Sequence, residues 1–173
     1  MAKITIFGLA GTGTTSAGKL LAEKLGYKFV SSGNMFREMA KENGIALNEF
    51  EEMTNNDPKF DSELDKKIKE FGEKDDNFVV ESRLAWYFIP DSIKVKLICD
   101  FDERIRRVAA RDKIPFEEAR EHNKFRDKKI AERYAKYYGI MDFNDDKFDL
   151  VIDTTNTPIP EVVSKIEHQV LHI

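Results

Sequence analysis

The sequence has a single cysteine, Cys99, among its 173 residues. It therefore has no internal disulfide and lacks the paired cysteines of a thiolate metal site. Its longest apolar runs are far shorter than the roughly 20 residues that cross a bilayer, and no signal-peptide pattern is present. We therefore expect a cytoplasmic protein without a membrane partner.

An excess of positive charge is also missing. The chain has 28 Lys and Arg residues against 32 Asp and Glu residues, which gives a net charge of −4. This balance produces no overall attraction to nucleic acid, and RNA binding would require a continuous basic and aromatic surface. We therefore expect no nucleic-acid partner. The length suits one α/β domain and leaves open whether the protein is a monomer or a small homo-oligomer.

The most informative motif stands near the start of the chain. A short apolar strand, residues 3–7, runs directly into a glycine-rich loop, residues 8–15. This order matches the phosphate-binding P-loop, G-x-x-x-x-G-K-[ST], except that Thr14 occupies the lysine position. Glycines let the amides of such a loop turn inward, and the following helix adds its positive N-terminal end. The predicted nucleotide-binding residues of the loop are Gly8, Leu9, Ala10, Gly11, Thr12, Gly13, Thr14 and Thr15.

The missing lysine weakens such a site without abolishing it. A hydrogen bond to a charged group contributes about 1.5–3 kcal/mol, so other cations that converge on the phosphates can replace it. Residues 13–19 also read G-x-x-x-x-G-K, but Leu20 follows where Ser or Thr is required, and no strand precedes them. We therefore expect Lys19 to be a solvated surface residue. An ordinary glycine-rich turn is the alternative interpretation of residues 8–15.

Short apolar runs alternate with helical patterns along the rest of the chain. This alternation is typical of a parallel sheet that is covered by helices on both faces. We predict strands over residues 3–7, 27–30, 78–81, 93–99 and 148–153, and helices over residues 14–25, 47–53, 58–71, 102–111 and 115–138. Two stretches, one with several helices and one rich in charge, interrupt the simple alternation and predict two mobile flaps over one site.

Several further fragments carry a family resemblance. They are SGNMFREMAKE (32–42), DSELD (61–65), VVESRLAW (79–86), RVAAR (107–111), residues 126–134, YGI (138–140) and FDLVIDT (148–154). Together with the P-loop, whose threonine form also occurs in this group, they resemble nucleoside monophosphate kinases and in particular the archaeal-type cytidylate kinases. Each fragment is weak evidence alone, but their order and spacing are specific to this kinase superfamily.

The resemblance implies a fold and a reaction. The fold would be a P-loop three-layer α/β/α structure with a parallel five-stranded sheet. Residues 1–30, 77–111 and 134–173 would form the core, residues 31–76 a helical insert that binds the nucleoside monophosphate, and residues 112–133 a helical lid. The reaction would transfer the γ-phosphate of ATP, bound with Mg²⁺, to a nucleoside monophosphate, with CMP or dCMP preferred.

The resemblance also implies roles for individual residues. Phosphoryl transfer depends on positioning and on positive charge, and arginine suits both because its fork binds phosphate oxygens in pairs. The residues that would bind the acceptor are Ser32, Gly33, Arg37 and Arg83. The residues that would hold the metal ion are Thr15 and Glu81. Surface or structural ion pairs are the alternative roles of Arg37, Arg83 and Glu81.

The donor and the transferring phosphoryl group would be bound by cations farther along the chain. By resemblance, Arg107 would lie against the donor base. The catalytic residues would be Arg111, Arg126 and Arg133. Arg126 and Arg133 are seven residues apart and share a helix face with Lys129, which predicts that these three cations together replace the missing lysine; a solvated charged face is the alternative. Arg104 and Arg106 are expected to be solvated.

One departure from the family pattern leaves the acceptor open. Ser82 stands where the subgroup usually has glycine, close to the expected acceptor site. UMP and AMP therefore remain alternatives to CMP and dCMP, and adenylate kinase is the main rival because it shares the core, both flaps and the arginine pattern. A nucleotide-binding protein without kinase turnover is a further alternative, for which the absent lysine would be the sign.

Overall fold

Within residues 2–57 and 59–172, which the computed structural model describes, five parallel strands form one sheet in the order β2-β3-β1-β4-β5. The side chains of residues 47, 48, 51, 55, 56, 60 and 61 are not part of this description. The strands are β1 (Lys3–Phe7), β2 (Lys28–Ser31), β3 (Phe78–Glu81), β4 (Ile93–Ile98) and β5 (Leu150–Asp153). The helices are α1 (Thr14–Leu25), α2 (Ser32–Glu42), α3 (Leu47–Asn56), α4 (Lys59–Lys74), α5 (Ala85–Phe88), α6 (Phe101–Asp112), α7 (Phe116–Tyr138) and α8 (Ile159–Leu171).

Successive side chains of the central strands pack on opposite faces of the sheet, as the pleat requires. In β1, Ile6 is buried beneath α1 and α8, whereas Phe7 is buried on the other face with residues of α5 and α7. In β3, Val79 faces α1 and α8, whereas Phe78 and Val80 pack against α4 and α5. Each such side chain contributes about 1.5–3 kcal/mol through burial. The predicted three-layer α/β/α fold with a parallel five-stranded sheet is therefore confirmed.

The predicted elements occur with small shifts at their ends. The helix predicted over residues 102–111 begins one residue earlier because Asp100 caps it, its side chain accepting from the Glu103 amide at 3.1 Å. The helix predicted over residues 58–71 continues to Lys74, while its predicted first residue, Pro58, lies outside the described residues. None of the helices in the described ranges combines the length and apolar character needed to cross a membrane.

α7 is one continuous helix of 23 residues. It follows Pro115 and ends at Gly139, whose φ of 66° is the left-handed conformation that glycine adopts most easily at a helix end. Its described buried residues are Ala119, Asn123, Ile130 and Tyr134. The helix thus passes without interruption from the predicted lid, residues 112–133, into the predicted core beyond it.

Candidate active site

The carboxyl ends of β2, β3 and β1 lie side by side and bring three predicted site segments together. β1 leads directly into the loop 8–15, β3 ends at Glu81, and β2 ends at Ser31. Ligands of open parallel sheets bind at this edge, where the helices that follow the strands also present their N-termini. The candidate active site is therefore built at the carboxyl edge of the sheet.

The loop has the backbone conformation that an anion site requires. Gly11 and Gly13 have φ angles of 88° and 89°, which other residues adopt only with strain. A Cβ on Gly11 would in addition lie 2.5 Å from the backbone oxygen of Arg104. Gly13 is the N-cap of α1, so the unpaired first-turn amides of that helix begin within the loop, at Thr14.

Two carbonyl groups of the loop are held by side chains of the core. Arg104 Nε donates to the Ala10 oxygen at 2.9 Å, and Thr154 Oγ1 donates to the Thr12 oxygen at 2.8 Å. In a planar trans peptide, the carbonyl and the next amide point in opposite directions. The amide that follows each anchored carbonyl is therefore directed away from the core, as expected for a phosphate cradle.

Thr14, at the lysine position, forms part of a cluster of oxygen atoms. Its hydroxyl donates to Glu81 Oε1 at 3.0 Å, while Thr15 and Ser31 donate to Glu81 Oε2 at 3.3 and 2.6 Å. Among the described residues, no cation lies within ion-pair distance of this carboxylate, so its alternative role as the partner of an arginine is not observed.

This oxygen cluster fits Mg²⁺. The cation prefers oxygen ligands and usually keeps several waters, so one carboxylate and a hydroxyl suffice. The described residues contain no group of three or more His, Cys, Asp or Glu side chains that could form a protein-only metal site. The predicted metal residues, Thr15 and Glu81, are therefore adjacent and chemically suited to a metal that arrives with a nucleotide.

A cleft of about 1340 Å³ contains most of the predicted acceptor and lid residues. Its lining includes Ser32, Gly33, Arg37, Ser82, Arg83, Arg126, Lys129 and Arg133. These side chains come from the start of α2, the segment after β3, and α7. The fold thus brings cations from three separate parts of the sequence to one cavity, as a site for several phosphates requires.

Arg83 is a half-buried cation of this cleft. Burial lowers its pKa, as does the like charge of Arg126, while Tyr134, Asp127 and Glu81 oppose the shift. Its Nε is buried without a hydrogen-bond partner, and it forms no ion pair with any residue in the described ranges. The predicted alternative, a salt bridge at the start of a helix, is therefore not observed, and the guanidinium is suited to bind an anion from the cleft.

Arg37 lies in the first turns of α2. Ser31 caps this helix by accepting from the Asn34 amide at 3.4 Å, and Arg37 Nη2 donates to Asn34 Oδ1 at 2.5 Å. Arg37 is solvent-exposed although it lines the cleft. Its position is compatible both with a surface arginine and with the predicted contact to an acceptor phosphate.

The three predicted cations of α7 line the same cleft. Arg126, Lys129 and Arg133 are spaced by three and four residues, and this spacing directs them to one side of the helix. Lys129 Nζ lies 3.5 Å from Glu132, and the Arg133 guanidinium lies over the Tyr134 ring. The helix face is therefore a lining of the cleft as well as a charged surface.

Arg107 and Arg111 have other contacts. Arg107 donates to the Thr154 and Thr155 oxygens at 2.8 and 3.1 Å and also reaches the Gly11 oxygen at 3.4 Å. Arg111 is exposed and makes two hydrogen bonds to Asp112, at 2.7 and 3.0 Å, which lower the pKa of that carboxyl. Neither of these two described arginines lines the cleft, so their predicted contacts with donor base and phosphates stay predictions.

Arg104 corrects one expectation from the sequence. It is not solvated; only 6% of the residue is exposed, and it links the Ala10 oxygen to Asp127 of α7. The burial of Arg104 could have been predicted from the sequence spacing. One face of α6 is buried by an i, i+3, i+4, i+7 pattern, which consists of Phe101, Arg104, Ile105 and Val108. Arg106, by contrast, is exposed and pairs with Glu103, as expected.

Sequence comparisons find similar proteins over most of the chain. The model of the cytidylate kinase-like family matches residues 3–156. Cytidylate kinase from Methanobrevibacter smithii is 40% identical over 163 residues, covering 94% of this chain and 94% of the relative. Cytidylate kinase from Archaeoglobus fulgidus is 36% identical over 165 residues, covering 95% of this chain and 92% of the relative.

Solved structures share the fold at low sequence identity. Shikimate kinase from Acinetobacter baumannii superimposes with a TM-score of 0.68 at 18% identity, covering 99% of this chain and 93% of that one. Shikimate kinase from Bacteroides thetaiotaomicron gives a TM-score of 0.69 at 17% identity, with 98% of each chain covered. At this identity the likeness concerns the fold alone. The family match and the archaeal relatives over most of the length show that the chain belongs to the cytidylate kinase-like family.

Proposed function

We propose that this protein transfers the γ-phosphoryl group of ATP to a nucleoside monophosphate, with CMP or dCMP as the acceptor. The observation that carries the proposal is the position of the P-loop at the same sheet edge as a cleft lined by arginines from α7 and from the segments after β2 and β3. The names of the archaeal relatives support cytidine nucleotides as acceptors.

The donor would be bound by the loop. The amides of residues 8–15 and the N-terminus of α1 would hold its phosphates, since both present unpaired donors to an anion. Thr15 and Glu81 would hold the accompanying Mg²⁺, which neutralises charge on the β- and γ-phosphates when it is bound. Arg107 would contact the donor base from its position between Gly11 and the segment after β5.

The acceptor would be bound in the cleft, at the same sheet edge as the donor loop. Arg83 would contact its phosphate, because its buried Nε has no hydrogen-bond partner in the described ranges. Arg37 would reach the same phosphate from α2, next to Ser32 and Gly33. In this arrangement residues 31–76 form the acceptor-binding insert and residues 112–133 form a lid.

The transfer step would depend on charge and on the exclusion of water. As the phosphoryl group moves, negative charge is spread over its oxygens, and fixed guanidinium groups stabilise that charge best when the site is closed. Arg126 and Arg133, with Lys129, would supply on α7 the positive charge that Thr14 does not carry. Arg111 would join them only after exchanging its contact with Asp112 for a phosphate.

A coupled assay that records ADP formation with CMP, dCMP, UMP and AMP tests this function. We expect the highest kcat/KM with CMP or dCMP and a dependence on Mg²⁺. The Lys19→Ala variant serves as a control, because Lys19 is exposed and belongs to the second, incomplete motif. Preference for AMP would identify an adenylate kinase. ATP binding without turnover on any acceptor would identify a nucleotide-binding protein instead.

A further inference from the structure

Arg104 is a buried arginine that touches both the P-loop and α7. Its Nε donates to the Ala10 oxygen at 2.9 Å, and its Nη2 donates to Asp127 Oδ2 at 2.8 Å. We propose that Arg104 is a positioning residue for phosphoryl transfer, which fixes the Ala10–Gly11 peptide toward the donor phosphates and holds α7 in register with that peptide. The inference rests on the proposed function in taking the loop as the donor site.

The contact with the loop controls the direction of one amide. Because the Ala10–Gly11 peptide is trans, anchoring its carbonyl on Arg104 directs the Gly11 N–H to the opposite side. The backbone of Arg104 also faces Gly11 closely, since a Cβ on that glycine would lie 2.5 Å from its oxygen. Side chain and backbone of Arg104 therefore both define the position of the peptide that follows Ala10.

The contact with α7 controls the position of the cations on that helix. Asp127 follows Arg126 directly, and its carboxylate also favours the charged form of Arg83 in the cleft. The second carboxylate oxygen, Oδ1, is buried without a hydrogen-bond partner in the described ranges. Arg104 is thus the residue through which Asp127 is tied to the loop.

Only arginine suits both contacts at once. Its planar guanidinium presents donors in fixed directions, so Nε and Nη2 can serve two acceptors on different elements. A lysine keeps the charge but offers a single ammonium at the end of a flexible chain. Substituting lysine for Arg104 therefore separates the geometric role from the presence of a positive charge.

The experiment compares Arg104→Lys and Asp127→Asn with the wild type by kcat, by KM for ATP and for the acceptor, and by thermal unfolding. We expect Arg104→Lys to lower kcat/KM for ATP at least about tenfold and to raise KM for ATP more than KM for the acceptor. The control is Arg106→Lys, on the same helix, whose side chain is exposed and pairs with Glu103 at 3.0 Å. It should remain within about twofold of the wild type.

A double-mutant cycle tests the coupling between the two contacts. If Arg104 and Asp127 act as a unit, the double variant should be no more impaired in kcat/KM for ATP than the worse single variant. Additive losses would overturn the proposed link to α7. Arg104→Lys with wild-type KM for ATP and wild-type kcat, whatever its thermal stability, would overturn the positioning role altogether.

Binding measurements separate this inference from the proposed function. If the wild type phosphorylates none of the four acceptors, titration calorimetry with a non-hydrolysable ATP analogue still decides the role of Arg104. A weakening of at least about fivefold in Arg104→Lys would support it, and equal affinity would overturn it. If Arg104→Lys does not fold, the same titration on Asp127→Asn tests the link to α7, and an affinity equal to that of the wild type would overturn that link.

Discussion

Thr14 places a hydroxyl where most P-loops have an ammonium, and that hydroxyl is held by Glu81 at 3.0 Å. The side chain is buried and uncharged, so it adds nothing to the positive charge that a triphosphate requires. The Lys and Arg side chains that line the cleft belong to other segments; they are Arg37, Lys59, Arg83 and the three cations of α7. At the residue scale, the positive charge of the candidate site therefore comes from groups whose position depends on the rest of the fold.

Removal of a cation from α7 should consequently lower the turnover rate strongly. We expect Arg126→Ala and Arg133→Ala each to lower kcat at least about tenfold, because a guanidinium that stabilises the transferring phosphoryl group contributes strongly. Steady-state turnover with saturating ATP and acceptor measures the effect. Lys128→Ala is the matched control, since Lys128 is 75% exposed and lies on the same helix outside the cleft lining. Turnover within about twofold of the wild type for both arginine variants would contradict the proposed role of these arginines in phosphoryl transfer.

At the element scale, the main feature is α7, which joins the proposed lid and core ranges in one continuous helix. Because the helix has no break between residues 133 and 134, any movement of its cations has to take place about its ends. Both ends are marked by left-handed residues: Lys113, with φ 56°, precedes the helix by three positions, and Gly139, with φ 66°, follows it. A change in the backbone at Lys113 or Gly139 would therefore alter the position of the whole helix.

The left-handed conformation at the end of α7 can be tested directly at Gly139. A Cβ there would meet no atom within 4 Å, so Gly139→Ala should cost only the backbone strain of the left-handed conformation, roughly 1–2 kcal/mol. Gly139→Asn should cost less, because asparagine tolerates this conformation better. Urea unfolding of the three proteins gives the free energies. An equal cost for Ala and Asn would show that the conformation at residue 139 is not the cause.

The sequence predicted the elements better than the contacts between them. The strand at 78–81 and the loop at 8–15 were predictable because apolar runs and glycine positions are local signals. The contacts of individual arginines were not predictable. Arg104, Arg107 and Arg111 stand on one helix and differ only in the residues that face them in the fold. Arg104 could have been recognised from its place on the apolar face of α6, but its partners Ala10 and Asp127 are 94 and 23 residues away.

At the scale of the whole molecule, the balance of charge in the cleft differs little from that of the chain. The chain carries a net charge of −4. The cleft is lined by six Lys and Arg residues, from α2, α4, α7 and the segment after β3, and by five Asp and Glu residues. Attraction of a nucleotide to this cleft would therefore depend on the positions of individual cations and not on a field of one sign.

The stability of the protein should change with pH because the pKa values of several surface carboxylates are lowered in the folded state. Hydrogen bonds from Lys, Arg or Thr side chains lower the pKa of Asp91, Glu103, Asp112, Asp142 and Asp153. Since their folded pKa lies below the unfolded value of about 4, their contribution is complete above that pH and is lost as the pH falls through the folded pKa. The urea midpoint should therefore fall between about pH 5 and pH 3. A constant midpoint over that range would contradict this expectation.

The oxygen cluster around Glu81 would have a consequence for the idle enzyme under the proposed function. A triphosphate on the loop would meet a carboxylate and hydroxyl groups there but no lysine, and the cations proposed to stabilise its terminal group stand on α7 instead. Hydrolysis of the donor by solvent water would then be slow until those cations reach that group.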